Sequence, residues 1–459
     1  MSAPTPATQP QQAAQDEPRP GPVHGPDIAK VRAAVRGGAL AYFVDQFDIY
    51  LPIVVLAPAM IYFQSAGLSA STTAMLSSLV FASTLVGRPL GAIIFGHFAD
   101  TVGRKRTTLV AVGGFGVTTL VIACLPGHET IGTWSIGLLI ALRFVDGVFL
   151  GGEYTTAVPL AMEWSPRHKR GLYASLITAT SPAAYAVIAA ITLLMLQLMH
   201  SGDLHSSYVQ WGWRVPFLMG ALLAAALFRY YLTQVHEPPV EVTGERHKLP
   251  FLRLVVKYPR ALGQVFVLMT GTWLATNMEA AVTPAQLKAH LELSSRQVTL
   301  TMLVINGSAA LAYPFLGLLS QRIGRRKFYI GYGMTVLVIG TGSYTLMMTS
   351  GGGLGAVLGW AVLMGIFTVG TFGPIAAYLT ERFPSSVRST GYGVGYSLAL
   401  IAPAFYQFYL RQFDGVMSAH LAPAVLLALA GVLISVGGLI GPETKDVDMA
   451  DDSTIPALS

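Results

Sequence analysis

The stretch GHFADTVGRKRT, Gly96 to Thr107, stands between two long apolar runs, and a close echo of it, GLLSQRIGRRKF, appears at Gly317 to Phe328. Aligning the copies places Gly96, Asp100, Gly103, Arg104, Lys105 and Arg106 on Gly317, Gln321, Gly324, Arg325, Arg326 and Lys327, a constant offset of 221. A second pair, EWSPRHKR and ERFPSSVR, sets Glu163, Pro166 and Arg170 on Glu381, Pro384 and Arg388 at an offset of 218. Two independent motifs at nearly one interval read as a parallel duplication of a six-helix unit.

The surroundings of the cassettes decide the medium. Of 459 residues, 53% are hydrophobic and only 11% charged, and the mean hydropathy is +0.56, far from the balance of a soluble domain. A helix rising ~1.5 Å per residue needs ~20 apolar residues to cross a ~30 Å hydrocarbon layer. Runs of that length are expected to span at 37–63, 72–98, 107–126, 133–162, 170–199 and 212–235, and then at 260–287, 297–321, 327–349, 353–381, 387–411 and 418–441. The fold expected is therefore all-α, an integral membrane protein of twelve transmembrane helices in two bundles, 37–235 and 260–441. Around them the reading sets a disordered tail 1–36, a linker 236–259 and a second tail 442–459.

Lys and Arg crowd into alternate loops: Arg104 to Arg106, Arg167 to Arg170, Arg246 to Arg260, Arg322 to Lys327, and Arg382 with Arg388. The positive-inside bias makes those loops and both termini cytoplasmic. The Pro-, Ala- and Gln-rich first 36 residues lack the apolar core of a secretory signal, so no cleavage is expected. Cys124 is the single cysteine, which excludes an intrachain disulfide and a Cys-based metal framework. The net charge of +6 follows the loops and offers no basic run suited to nucleic acid. No HExxH, GxSxG or Walker-type loop is present, so neither an enzyme nor a nucleotide-driven pump is expected, and no cofactor or metal is called for.

In each half the cassette joins the second and third helices. Its glycines let neighbouring helices approach, its acid near a helix start can hold positive backbone ends, and its basic residues face water and headgroups. It reads as a latch between the halves; the plainer reading is a tight basic turn that enforces topology. GHFADTVGRKR resembles the signature loop of the major facilitator superfamily, with Thr101 in place of a basic residue and Gln321 in place of the second acid. The resemblance covers about 37–446 and implies a rocker-switch transporter with a central site between the halves. RPLGAIIFGHFADTVGRK (88–105), RFVDGVFLGGEY (143–154), WGWRVPFL (211–218) and ERFPSSVRSTGYGVGYS (381–397) are similar to the metabolite:proton symporter branch. GPETKD (441–446) also resembles the ending of the sugar porters. The first branch implies inward movement of carboxylates or zwitterionic osmolytes with protons across a plasma membrane, a bacterial inner membrane by that branch.

A charge near the bilayer centre costs from ~3 to more than 10 kcal/mol, so each one marks a functional hypothesis. Asp45 and Asp48 fall ~12–17 Å into the first span and Arg143 ~15 Å into the fourth, one midplane layer, which Arg88 can join. An acid facing an Arg in a poorly solvated cavity can act as a proton switch, since the Arg favours the carboxylate and desolvation the neutral acid. The family resemblance places proton coupling on Asp48, or its neighbour Asp45, and on Arg143. A permanent assembly pair is the alternative, and Asp146, three residues after Arg143, offers a pairing within one helix.

Arg88 can clamp a carboxylate with its planar fork or serve a gate or packing role. Tyr185, Asn306, Tyr392 and Tyr396 are expected to orient a polar substrate, with packing as the alternative for each. Asn277 and Glu279 read as an outer gate. Glu153 reads as a structural ion pair near the inner gate. Glu163, Arg170, Glu381 and Arg388 are expected to pair with the cassettes at Gly96, Asp100, Gly103, Arg104, Lys105, Gln321 and Arg325. The function expected is secondary active import of a small organic acid or zwitterion with protons, by a monomer whose partners are its substrate, protons and the bilayer. The alternatives are a proton-independent sugar or polyol facilitator and, behind it, a drug:proton antiporter or a transport-dead sensor.

Overall fold

A computed structural model describes residues 28–65, 67–237 and 250–456. The described secondary structure is helical, and ten of its helices are long and apolar enough to cross a membrane. With two further segments they make the twelve-helix architecture. The spans are α1 (Ile28–Val54), α2 (Ala70–Thr101), α3 (Arg104–Ala123) and α4 (Trp134–Trp164), then α5 (Arg167–Leu198), α6 (Tyr208–Gln234) and α7 (Pro259–Ala289). They continue with α8 (Ser295–Ile323), α9 (Arg325–Thr349) and α10 (Gly353–Glu381), and close with α12 (Ala422–Leu439). Between α10 and α12 runs α11, in three pieces: Arg388–Leu398, Ile401–Ala404 and Tyr406–Arg411.

The two spans outside the ten have physical reasons to differ. Basic residues Lys30, Arg32 and Arg36 and the acids Asp45 and Asp48 lie along α1. The helix α11 breaks around Ala399, four residues before Pro403, whose ring collides with the carbonyl at that position and supplies no N–H. The chain is already helical from Ile28, so the tail expected over 1–36 ends earlier than read, and residues 1–27 lie outside the described residues. In the linker, 238–249 lie outside them, and Pro250–Lys257 is a short helix.

Helix α1 packs on α4, α5 and α6, α2 on α4, and α3 on α4 and α6. In the second half α7 and α9 pack on α12, and α8 on α10. Between the halves α2 meets α11 and α5 meets α8, while α4 also touches α11 and α5 touches α10. One apolar cluster crosses that seam, with Tyr42, Tyr154 and Ile177 packed among Ala376, Tyr392 and Tyr396. Large apolar side chains such as Leu222, Leu311 and Phe315 stay exposed on the outside, as helices surrounded by lipid allow.

Candidate functional site

The cassettes join the two halves through hydrogen bonds and ion pairs at one end of the molecule. Asp100, at the end of α2, accepts hydrogen bonds from the backbone N–H groups of Ser389 (3.1 Å) and Thr390 (2.9 Å) and from the Thr390 hydroxyl (2.7 Å). The two N–H donors are free amides of the first turn of α11, which a carboxylate satisfies. Gly96 lies where α2 touches the same turn: a Cβ there would stand 2.9 Å from Thr390 Cα. In the second copy Gln321 accepts from the Gly171 N–H of α5 at 2.9 Å. Gln321 holds one backbone donor of the other half where Asp100 holds two.

Gly103 and Gly324 precede the third helix of each half with φ of +128° and +101°, a region that favours glycine. Each lies beside a glutamate that caps the helix it opens. Glu237 accepts from the Lys105 N–H at 3.0 Å, and Glu443 from the Arg325 N–H at 2.8 Å. The Lys105 ammonium turns to the Leu232 carbonyl in its own half.

The Glu and Arg residues of the second motif exchange partners across the seam. Glu163 pairs with Arg104 at 2.9 Å and with Arg388 of the other half at 2.8 Å. Glu381 pairs with Arg325 at 3.1 Å and with Arg170 of the other half at 3.2 Å. The sequence reading did not contain the third member of this assembly, the tail after α12. Arg170 donates to the Val447 carbonyl and Arg388 to that of Met449, each at 3.0 Å. Asp452 accepts from the Ser385 N–H and hydroxyl at 2.9 Å. GPETKD (441–446) marks the start of this tail, but 447–452, which make these contacts, carry no motif.

Further into the first half lie the charges. Asp48 Oδ2 is 2.9 Å from Arg143 Nη1, its Oδ1 accepts from Thr119 at 2.8 Å, and Arg143 Nε donates to Thr84 at 3.0 Å. Asp146 lies 3.0 Å from the same Nη1, outside hydrogen-bonding angles, and both its oxygens are buried without a hydrogen-bond partner. Asp45 pairs separately with Arg88 at 3.1 Å and accepts from Gln46 at 2.7 Å, while the Arg88 guanidinium lies 4.6 Å over the Tyr154 ring. The ion pair expected of Glu153 is absent among the described residues. Its oxygens are buried and unpartnered, while Arg88 pairs with Asp45 through Nη2. Four carboxyls therefore share this interior with two guanidinium groups, all of them buried.

Level with these charges along α1, between the halves, sits a small cavity lined by Tyr42, Gln46, Tyr50 and Ser181 of the first half and Trp273, Glu279, Asn306 and Tyr396 of the second, among others. Its free volume of about 20 Å³ is room for a water or two. The Tyr42 and Tyr396 hydroxyls bridge the halves at 2.7 Å. Ser181 donates to Gln46 at 2.7 Å, so a chain of hydrogen bonds runs from the cavity wall through Gln46 to Asp45. Of the residues expected at the substrate, Asn306 and Tyr396 are in the wall. Tyr185 stands behind Tyr50, edge to face at 5.0 Å, and Tyr392 behind Tyr396 at 5.9 Å. Arg88 is not in the wall. Glu279, read as part of an outer gate, is in the wall and accepts from Asn306 at 3.1 Å. Asn277 instead donates to the Pro403 carbonyl at 2.9 Å.

Outside the spans, His420 stacks on His290 at 3.7 Å. Burial, and then the neighbouring His290, hold its imidazole below the usual range.

The family profile described as Major Facilitator Superfamily matches residues 38–406. The chain belongs to the major facilitator superfamily. Among its relatives in that superfamily is the inner membrane metabolite transport protein YhjE of Escherichia coli (strain K12), 31% identical, with 88% of this chain and 92% of the relative covered. The proline/betaine transporter of the same strain is 26% identical over 92% of this chain and 85% of its own. A solved structure of the proton:xylose symporter XylE, bound to 6-bromo-6-deoxy-D-glucose, superposes with a TM-score of 0.74 at 17% identity, covering 92% of this chain and 98% of that one. At that identity the likeness is one of fold. This member of the superfamily is a multi-pass membrane transporter.

Proposed function

We propose that the protein imports a small organic acid or zwitterionic metabolite together with protons by alternating access, acting as a monomer in a bacterial inner membrane. The observation that carries the reading is the placement of Asp48 and Asp146 on one Arg143 nitrogen, at 2.9 and 3.0 Å. Two carboxylates that compete for one guanidinium group, away from water, form a site whose charge a proton can balance. A proton on Asp48 releases its share of Arg143, which Asp146 then takes. Asp45 and Arg88 form a second acid–base pair, linked to the cavity through Gln46.

In the proposed cycle, Asp48 or Asp45 takes a proton from outside, substrate enters the midplane cavity, and the two bundles, 37–235 and 260–441, rock about it. Release to the cytoplasm opens the latch at Asp100 to Arg106 and its counterpart at Gln321 to Lys327. The Arg- and Lys-rich alternate loops support a cytoplasmic latch and cytoplasmic termini. The names of the relatives support a metabolite over a drug as the cargo.

The test uses purified protein in liposomes with an inward proton gradient and a trapped dye reporting internal pH. Carboxylates, betaine-like zwitterions and sugars are added in turn. Acidification driven by one acid or zwitterion supports the proposal; substrate entry with no proton movement contradicts it and favours the facilitator.

A further inference from the structure

Glu279 is the acid that lines the cavity wall among the described residues, and it lies there without a basic partner. It is only 3% exposed, and Oε1 accepts a single hydrogen bond, from Asn306. Among the described residues no Arg or Lys pairs with it, and its second oxygen has no hydrogen-bond donor. No Lys or Arg lines the cavity either. An ionised carboxylate in that position is expensive unless a cation joins it.

The remaining wall supplies what an organic cation needs. Tyr50, Tyr313, Trp273, Phe372 and Tyr396 line the same space as Glu279, and Trp273 is set edge-on to both Phe372 (5.3 Å) and Tyr396 (5.0 Å). Aromatic faces attract an alkylated ammonium through their quadrupoles, by ~2 kcal/mol or more when water is excluded. A simple carboxylate would meet the opposite: one acid, electron-rich faces and no guanidinium fork. Asn306 holds Glu279 by one oxygen and leaves the other to the cavity. The π-helical turn Met278–Val282 carries Glu279 at this point of α7, a local device that recurs at functional sites.

We infer that Glu279, with the aromatic wall around it, is the recognition site for an alkylated or quaternary ammonium group of the transported molecule. This rests on the reading of the cavity as the transport site, and narrows the cargo to a zwitterion or organic cation. A carboxylate end of the same molecule, where present, then lies toward Gln46 and Ser181 in the other half.

Equilibrium binding to the full-length protein in nanodiscs tests this without requiring transport. Labelled trimethylglycine is the probe, tetramethylammonium is a competitor, and 3,3-dimethylbutanoate is the neutral-headed isostere that keeps the carboxylate. Saturable binding of trimethylglycine, competed by tetramethylammonium and on the order of tenfold less well by the isostere, is the expected result. Glu279→Gln should weaken it by tenfold or more, Glu279→Asp should restore part of it, and both should elute as wild type on size exclusion. Equilibrium binding requires no proton movement, so a failure of proton coupling reads out separately. Equal competition by the isostere, unchanged binding in Glu279→Gln, or no saturable binding to the wild type overturns the inference. The wild-type competition needs no variant to fold.

Discussion

Glu163 Oε1 of α4 stands 2.8 Å from Arg388 Nη1 of α11, so an acid of the first half neutralises a cation of the second inside a closed seam. The same oxygen also receives Arg104. Opening the latch must separate these groups, and breaking a buried pair from one side costs ~3–5 kcal/mol. Glu163→Gln is expected to destabilise the latched state by that order and shift the molecule toward the open one. Distances between spin labels on Arg167 and Asp446, now an exposed ion pair at 3.1 Å, should lengthen and broaden; an unchanged distribution would count against the latch.

The two cassettes are unequal. Asp100 holds three donors of α11, whereas Gln321 holds one backbone donor of α5. Charge-assisted hydrogen bonds are roughly twice as strong as neutral ones. Asp100→Ala should therefore slow uptake by at least tenfold more than Gln321→Ala, measured as initial rates at equal surface expression. Equal effects would mean that the halves separate by some other contact.

How much of this was legible in the sequence differs residue by residue. The duplicated cassette announced the two-fold repeat and residues that meet across the seam, because glycines, an acid and arginines in a polar turn have few uses between apolar helices. Asp48 and Arg143 stood out because charge is rare at midspan, and the structure sets them side by side. The cavity wall was largely hidden. Tyr42, Gln46, Ser181, Trp273 and Phe372 are ordinary residues in spans that are apolar on every face, where lipid and protein interior exert no contrast to reveal which side faces in. The break in α11 and the early start of α1 escaped for a related reason, since hydropathy alone sets neither helix continuity nor the first turn.

The tail after α12 should act as a strap across the seam. Truncation after Asp446 removes the Val447 and Met449 carbonyls from Arg170 and Arg388, and Asp452 from Ser385. Hydrogen exchange at 385–392 is expected to speed up on truncation, with the remaining spans unchanged. Protection identical to the full chain would show that the strap adds nothing.

His420 should titrate below an ordinary imidazole, whose midpoint is ~6.5. Its cationic form is disfavoured by burial and by the stacked His290. Folding then favours the neutral ring: stability is complete above the ordinary value and falls as pH drops through it toward the lowered one. NMR titration of labelled histidine should show the low midpoint, rising part of the way in His290→Gln. A midpoint at or above the ordinary value contradicts the stacking account.

Coupling of substrate to protons through Asp48, or its neighbour Asp45, and Arg143 separates cleanly from transport itself. The decisive measurement compares gradient-driven accumulation with substrate exchange at equal concentrations on the two sides of liposomes holding Asp48→Asn, with Asp45→Asn alongside. Asp48→Asn or Asp45→Asn is expected to exchange substrate while losing accumulation and the accompanying proton movement. Accumulation at wild-type levels in both variants, with protons still entering, would rule out coupling through the acids of α1.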